Sequence, residues 1–160
     1  MLKYIFISVL FFNISYSQIS IDKIINESWA LTKQEFFSSL KTENFEKREA
    51  MGYSGFVIDD TLNSDIVEIG YFFNSEGIQS MRGISNKNKS EKESKKLFDF
   101  LYSSIKELLG KPISENEMLG SKIIQWKNKN SKIFINYNSE TCMLSIIKWV
   151  IYERINKFLS

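Results

Sequence analysis

The most constraining feature of this chain is an apolar stripe with α-helical spacing between residues 97 and 109. Its members recur every three or four positions and therefore share one helix face; they are Leu97, Phe98, Leu101, Ile105, Leu108 and Leu109. Ser90 and Glu93 precede the stripe with the spacing of a capping box. Gly110 and Pro112 follow it and are typical of a helix end. This long amphipathic helix must bury its stripe against another element of the fold.

On both sides of this helix, apolar residues occupy every second position, which is the spacing of half-buried β-strands. We expect three strands before the helix and three after it. The strands are marked by Tyr53 and Val57, by residues 67–73, by 78–84, by Ile124 and Trp126, by 133–137 and by the run 141–152. The segment Asn74-Ser75-Glu76-Gly77 is typical of a hairpin turn. Strands joined by such short turns pair antiparallel.

The N-terminal part of the chain predicts two short helices. Thr32 and Glu35 form a second capping box, and Leu31 with Phe36 makes the matching hydrophobic staple, so a helix should run from about residue 33 to 40. Residues 18–29 are more weakly helical. The predicted fold class is therefore α+β: a two-layer sandwich in the order α-α-β-β-β-α-β-β-β, with the long amphipathic helix packed on an antiparallel sheet.

Residues 1–17 have the layout of a secretory signal peptide. Lys3 is a short positive region, residues 4–12 are apolar except for Ser8, and Ser15 and Ser17 stand at the −3 and −1 positions of a cleavage site before Gln18. The apolar run is too short to span a bilayer readily. We expect a cleaved signal and one globular domain over residues 18–160, located in the periplasm or outside the cell. An uncleaved anchor is the alternative.

The residues that the chain lacks exclude several kinds of chemistry. It has no histidine and a single cysteine, Cys142, so it cannot form a Ser-His or Cys-His pair, a histidine metal site or an internal disulfide. Cys142 lies in an apolar, strand-like run, where we expect it to be buried. The formal net charge of +2 gives no electrostatic case for binding nucleic acid. We expect no catalytic residue, no metal ligand and no cofactor.

Three polar clusters each have a functional and a structural interpretation. One loop gathers oxygen ligands suited to calcium, at Asp59, Asp60, Asn63 and Asp65. Lysines that could hold an anion cluster before and within the long helix, at Lys87, Lys89, Lys92, Lys95 and Lys96. A general acid and base could come from Glu68, Glu76, Asp99 and Glu107. In each case we favour a solvated position: a turn, a helix start, a helix face or, for Glu68, the side of a strand opposite Val67 and Ile69.

Four apolar residues alternate onto the sheet face that the long helix need not cover: Ile66, Phe72, Phe134 and Ile147. Either the N-terminal helices cover this face, or it is a surface for a partner. The function that we expect is a small exported, non-enzymatic binding protein for an unknown protein or envelope component. The alternatives are a carboxylate-dependent hydrolase and a small-molecule or lipid carrier with a cavity between sheet and helix. The oligomeric state is left open.

Overall fold

The computed structural model describes residues 20–27, 29, 32–39, 45–50 and 52–149. Three helices and eight strands lie in this part of the chain: α1 Ile21–Asn26, α2 Lys33–Ser39, β1 Glu46–Ala50, β2 Tyr53–Leu62, β3 Asp65–Phe73, β4 Gln79–Asn86, α3 Glu91–Leu109, β5 Ser114–Met118, β6 Ser121–Asn128, β7 Ser131–Tyr137 and β8 Cys142–Lys148. The expected signal over residues 1–17, the staple residue Leu31 and the end of the run 141–152 lie outside the described residues.

All eight strands form one antiparallel sheet in the order β1-β2-β3-β4-β8-β7-β6-β5. The chain thus makes two four-stranded meanders, one before α3 and one after it. The last strand of each meander, β4 and β8, pair with one another at the centre of the sheet. The expectation of a mixed α+β chain with an antiparallel sheet and a packed helix is confirmed.

The sheet has two more strands than the alternation predicts. The additional strands are β1, with the sequence Glu-Lys-Arg-Glu-Ala, and β5, with Ser-Glu-Asn-Glu-Met. Both are the outermost strands of the sheet, where one side of the strand pairs, and most of their described side chains are exposed. Charged edge strands are common because they discourage pairing with another chain. Because β1 and β5 are charged, they show no alternation of apolar residues, and the alternation therefore does not predict them.

Helix α3 packs on one face of the sheet, which we call the near face. Leu97, Leu101 and Ile105 of the predicted stripe are buried there. They meet a row of aligned residues across β3, β4, β8, β7 and β6: Ile69, Ile84, Leu144, Ile135 and Ile124. Leu108, which the stripe included, is instead 42% exposed, because it lies at the margin of the stripe.

The ends of α3 agree with the sequence in part. The predicted capping box is half formed, because the Glu93 carboxylate accepts from the Asn88 side chain at 3.1 Å while the Ser90 N–H donates to the Asn88 carbonyl. The Ser90 hydroxyl accepts a hydrogen bond from the Glu93 backbone N–H at 3.3 Å. Gly110 adopts a φ of 78°, and its N–H donates to the Lys106 carbonyl at 2.9 Å, which closes the last turn. The Trp126 indole N–H donates to the Gly110 carbonyl at 3.1 Å and so ties this helix end to the sheet.

The N-terminal helices also lie on the near face. Ile21, Ile24 and Ile25 of α1 join the core around α3. In α2, Phe36 packs on Phe73 and Tyr71, which belong to the near face of β3, with ring centroids 5.5 and 4.6 Å apart. All three helices of the described part of the chain therefore share one face of the sheet.

The predicted capping box of α2 is present. The Thr32 N–H and hydroxyl both donate to the Glu35 carboxylate, at 2.8 and 2.9 Å, and the Glu35 N–H donates back to the Thr32 hydroxyl at 3.2 Å. Two backbone donors of the first turn are thereby satisfied by side chains. A short bridge between Thr32 and Ile78 joins this helix start to the beginning of β4.

Candidate functional site

The opposite side of the sheet, which we call the far face, carries an apolar centre. Pairing across β2, β3, β4, β8, β7 and β6 aligns one row of its residues: Gly55, Phe72, Met81, Ile147, Lys132 and Lys127. The next row is Val57, Gly70, Gly83, Ser145, Phe134 and Gln125. Most of these side chains are half-buried. The register therefore places apolar and small residues together over the middle strands.

Phe72 is fixed on this face by glycines beside it. A Cβ at Gly55, directly opposite on β2, would overlap the Phe72 ring. A Cβ at Gly70 would lie 2.8 Å from Phe72 Cε2. The ring therefore lies down over two positions that lack side chains. This packing over Gly55 and Gly70 explains why Phe72 is half-buried although it points away from the helices.

The structure places all four residues of the predicted partner surface on the far face. Phe72 and Ile147 lie in one row, separated by Met81, and Phe134 lies in the adjacent row. Ile66 stands apart at the start of β3, six residues before Phe72, a distance of about 20 Å along a strand. It is 60% exposed. Three residues thus form one group, and Ile66 belongs to the margin.

A charged group on the far face was not found from the sequence. Arg48 of β1 holds two carboxylates: its guanidinium donates to Glu68 at 2.9 and 2.8 Å and to Glu46 at 2.9 Å from both Nε and Nη2. Hydrogen bonds from Arg48 lower the pKa of Glu46, and those to Glu46 and Glu68 raise the pKa of Arg48. β1 itself was missed, so nothing in the sequence predicted this pairing.

The acid and base candidates are not arranged as a catalytic pair. Glu68, expected in solvent, is largely buried beside Arg48, with a side chain 19% exposed. Asp99 pairs with Lys95 on the wet side of α3 at 2.9 Å, while Glu76 and Glu107 are exposed at separate places. Glu46 and Glu68 both accept hydrogen bonds from Arg48, and for Glu46 these bonds lower the pKa of the carboxyl group. The arrangement gives no support to carboxylate hydrolysis.

The acidic loop forms a turn whose carboxylates are held by lysines. Asn63 and Ser64 adopt φ values of 49° and 68° in the turn between β2 and β3. Asp59 pairs with Lys87, and Asp65 pairs with Lys96 at 2.7 Å. No group of three or more metal-binding side chains occurs among the residues that the structure describes. Three lysines of the predicted cluster are thus paired with aspartates: Lys87, Lys95 and Lys96.

A buried arginine lies between α1 and the near face, and sequence reasoning also missed it. Arg82 has no exposed surface; it donates to the Glu27 carboxylate at 3.0 Å and to the Glu27 carbonyl at 2.6 Å. Trp29 stacks on its guanidinium at 4.2 Å. Burial lowers the pKa of Arg82, and burial raises the pKa of the neighbouring Tyr71 to about 12. The Gln79 side chain is buried on β4, and its amide has no hydrogen-bond partner among the residues that the structure describes.

The interface between α3 and the sheet is filled with side chains. Leu101 and Ile105 are fully buried against Ile124, Ile135 and Leu144. Tyr102 closes the margin by packing edge-on against Trp126, with ring centroids 5.7 Å apart. The described residues thus leave little room here for the enclosed ligand that a carrier would need.

Cys142 is buried at the start of β8, as its apolar surroundings predict. Its backbone N–H donates to the Asn86 side-chain oxygen at 2.7 Å. Burial raises the pKa of the thiol to about 12. Because only the thiolate is a strong nucleophile, this thiol is inert at neutral pH.

Comparison of the chain with models of known protein families, with curated proteins and with solved structures finds no match. Within the described residues, no helix has both the length and the apolar character needed to cross a membrane.

Proposed function

We propose that this chain is an exported, non-enzymatic binding protein that holds a protein partner on the far face of its sheet. One observation supports this proposal above the others: α1, α2 and α3 all lie on the near face. The far face keeps Phe72, Met81 and Ile147 half-buried and Ile66 60% exposed. A concentrated apolar surface of this kind is commonly a contact surface.

The polar surroundings suit a protein partner. Arg48, Glu46 and Glu68 form a charged group at the side of the apolar centre, the combination of an apolar core and a polar rim that protein interfaces use. Charged residues on β1 and β5 disfavour the addition of a partner strand at either edge. The partner is therefore expected to pack across the face. The proposal includes the two-layer arrangement and export through residues 1–17.

The test compares two exposed apolar residues. Ile66→Lys changes the far face, and Leu119→Lys makes the same change in the turn between β5 and β6, where Leu119 is 97% exposed. Each tagged variant is expressed in the source organism and purified beside the wild type from the envelope fraction. We expect one stoichiometric partner, which Leu119→Lys retains and Ile66→Lys loses while both variants keep the wild-type melting temperature.

Reconstitution completes the test. The captured partner, purified separately, should form a 1:1 complex with the wild-type protein, weakened about tenfold or more by Ile66→Lys. A partner that binds both variants equally well would exclude the Ile66 margin of the far face from the contact. A wild-type protein that elutes alone from the envelope fraction would overturn the proposed function.

A further inference from the structure

A second concave site lies at one end of the sheet, apart from the far-face centre. The end of α1, the turn between β6 and β7 and the end of β8 surround a cleft of about 720 Å³. Clefts of this volume accommodate small organic ligands. We call it the Trp cleft, because Trp29 and Trp149 both line it.

Cations hold both indoles in place. Trp29 stacks on the buried Arg82 guanidinium at 4.2 Å. Lys127 and Lys132 approach the Trp149 ring at 4.3 and 5.0 Å from its centroid. The Trp149 backbone N–H donates to the Asn130 carbonyl at 2.9 Å. The cleft therefore contains two positioned aromatic surfaces, a feature that suits a ligand with a flat apolar ring face.

The charge of the Trp cleft is positive. Lys129 and Lys148 line it, and neither forms an ion pair within the described part of the chain. Glu27 is the acidic side chain among the described lining residues, and Arg82 already holds its carboxylate at 3.0 Å. An anionic group in the cleft would therefore meet two ammonium groups with little opposing charge.

Side-chain amides supply hydrogen-bonding groups. Asn128 donates to Asn26 at 3.1 Å, so these two amides hold one another across the cleft. The Asn130 side chain also lines the cleft and makes no hydrogen bond to the described part of the chain. An amide can both donate and accept, which matches the hydroxyl groups of a sugar.

We infer that the Trp cleft binds an acidic saccharide. Its pyranose ring packs on an indole, its carboxylate lies near Lys129 and Lys148, and its hydroxyls bond to the asparagine amides. A membrane surface also attracts tryptophan and lysine, but a concave site lined by amides fits a discrete ligand better than a flat bilayer. The inference does not depend on the proposed partner, although Lys127 and Lys132, which approach Trp149, also belong to a row of the far face.

The experiment is isothermal titration calorimetry of the full chain with tetragalacturonate, with maltotetraose as the neutral counterpart. The variant is Lys129→Ala with Lys148→Ala. Its control is Lys89→Ala with Lys92→Ala, which removes the same charge at the opposite end of the sheet, where both lysines are exposed. We expect tetragalacturonate to bind, added salt to weaken it, and the cleft variant to weaken it about tenfold while the control binds as wild type.

Three outcomes would overturn the inference: no binding of tetragalacturonate, equal binding of maltotetraose, or equal losses in the two double variants. Sedimentation with vesicles of phosphatidylglycerol and phosphatidylcholine separates the membrane alternative. Vesicle binding that depends on Lys129 and Lys148, without binding of tetragalacturonate, would assign the cleft to a lipid surface and also overturn the inference.

Discussion

Arg82 fastens Glu27 to the sheet through both its carboxylate and its backbone carbonyl, at 3.0 and 2.6 Å. The two residues are 55 positions apart, and the bond joins the end of α1 to a central strand. Since Arg82 has no exposed surface, the bonds to Glu27 compensate for part of its lost hydration, while Arg82 Nε is buried without a hydrogen-bond partner among the described residues. Trp29 covers the same guanidinium, so this contact also shapes one wall of the Trp cleft.

Removing the ion-pair partner of the buried Arg82 should lower the stability of the fold. Glu27→Ala leaves Arg82 buried without its counter-charge, and we expect it to lower the free energy of unfolding by about 3 kcal/mol in urea titrations. Glu27→Ala combined with Arg82→Met should lose less than Glu27→Ala alone, because the uncompensated charge is gone. Asp99→Ala, which breaks an exposed pair with Lys95, should cost less than about 1 kcal/mol. Equal losses at Glu27 and Asp99 would contradict this account.

The packing of the Phe72 ring over glycine can be tested with a double-mutant cycle. Gly70→Ala places a Cβ 2.8 Å from Phe72 Cε2 and should lower the free energy of unfolding by about 1–2 kcal/mol. In a Phe72→Ala background, the same Gly70→Ala change should be nearly neutral, because the ring that it strikes is absent. Urea unfolding of the four proteins measures the coupling. A cost that persists in the Phe72→Ala background would assign it to the backbone.

The α2 capping box predicts a dependence on pH. Hydrogen bonds from the Thr32 backbone and side chain lower the pKa of Glu35 below its usual value of 4.5. A carboxylate with a lowered pKa stabilises the fold above pH 4.5, and this contribution is lost as the pH falls through its lowered value. The stability advantage of the wild type over Glu35→Gln should therefore shrink on acidification. Glu107→Gln, at an exposed position of α3, is the control for removing one surface carboxylate, and its pH trend is subtracted from that of Glu35→Gln.

Cys142 should resist thiol reagents in the folded protein. Its pKa is raised to about 12 by burial, so little thiolate forms between pH 7 and pH 9. We expect labelling by 5,5′-dithiobis(2-nitrobenzoic acid) to be slow in buffer across this range and fast in 6 M guanidinium chloride. Fast labelling of the native protein, at a rate that levels off as the pH approaches 9, would show an accessible thiol with an ordinary pKa instead.

The sequence patterns predict the elements whose side chains repeat with a clear period. The stripe of α3, its capping serine and Gly110 identify that helix, and alternation identifies the strands of the core. β1 and β5 could not be found this way, since a strand with one paired edge and exposed side chains needs no apolar alternation. Their position depends on pairing with β2 and β6, which is a property of the whole sheet.

The same distinction separates the site residues that the sequence predicted from those that it missed. Alternation alone placed Phe72, Phe134 and Ile147 together on one face, because period-two residues point to one side of a strand. Whether they bind a partner remains a prediction. Arg82 and the Trp cleft were missed because they join residues of α1, β4, β6, β7 and β8, and no local pattern records contacts between such distant segments.

The central pairing of β4 with β8 has a consequence for synthesis of the chain. Met81 of β4 lies opposite Ile147 of β8, 66 residues later, so the first meander emerges with an unpaired inner strand. Until the second meander is complete, this strand exposes free backbone donors and acceptors beside apolar side chains, as an aggregation-prone edge does. A chaperone or an export channel that keeps the first half unfolded would therefore protect the chain over this interval.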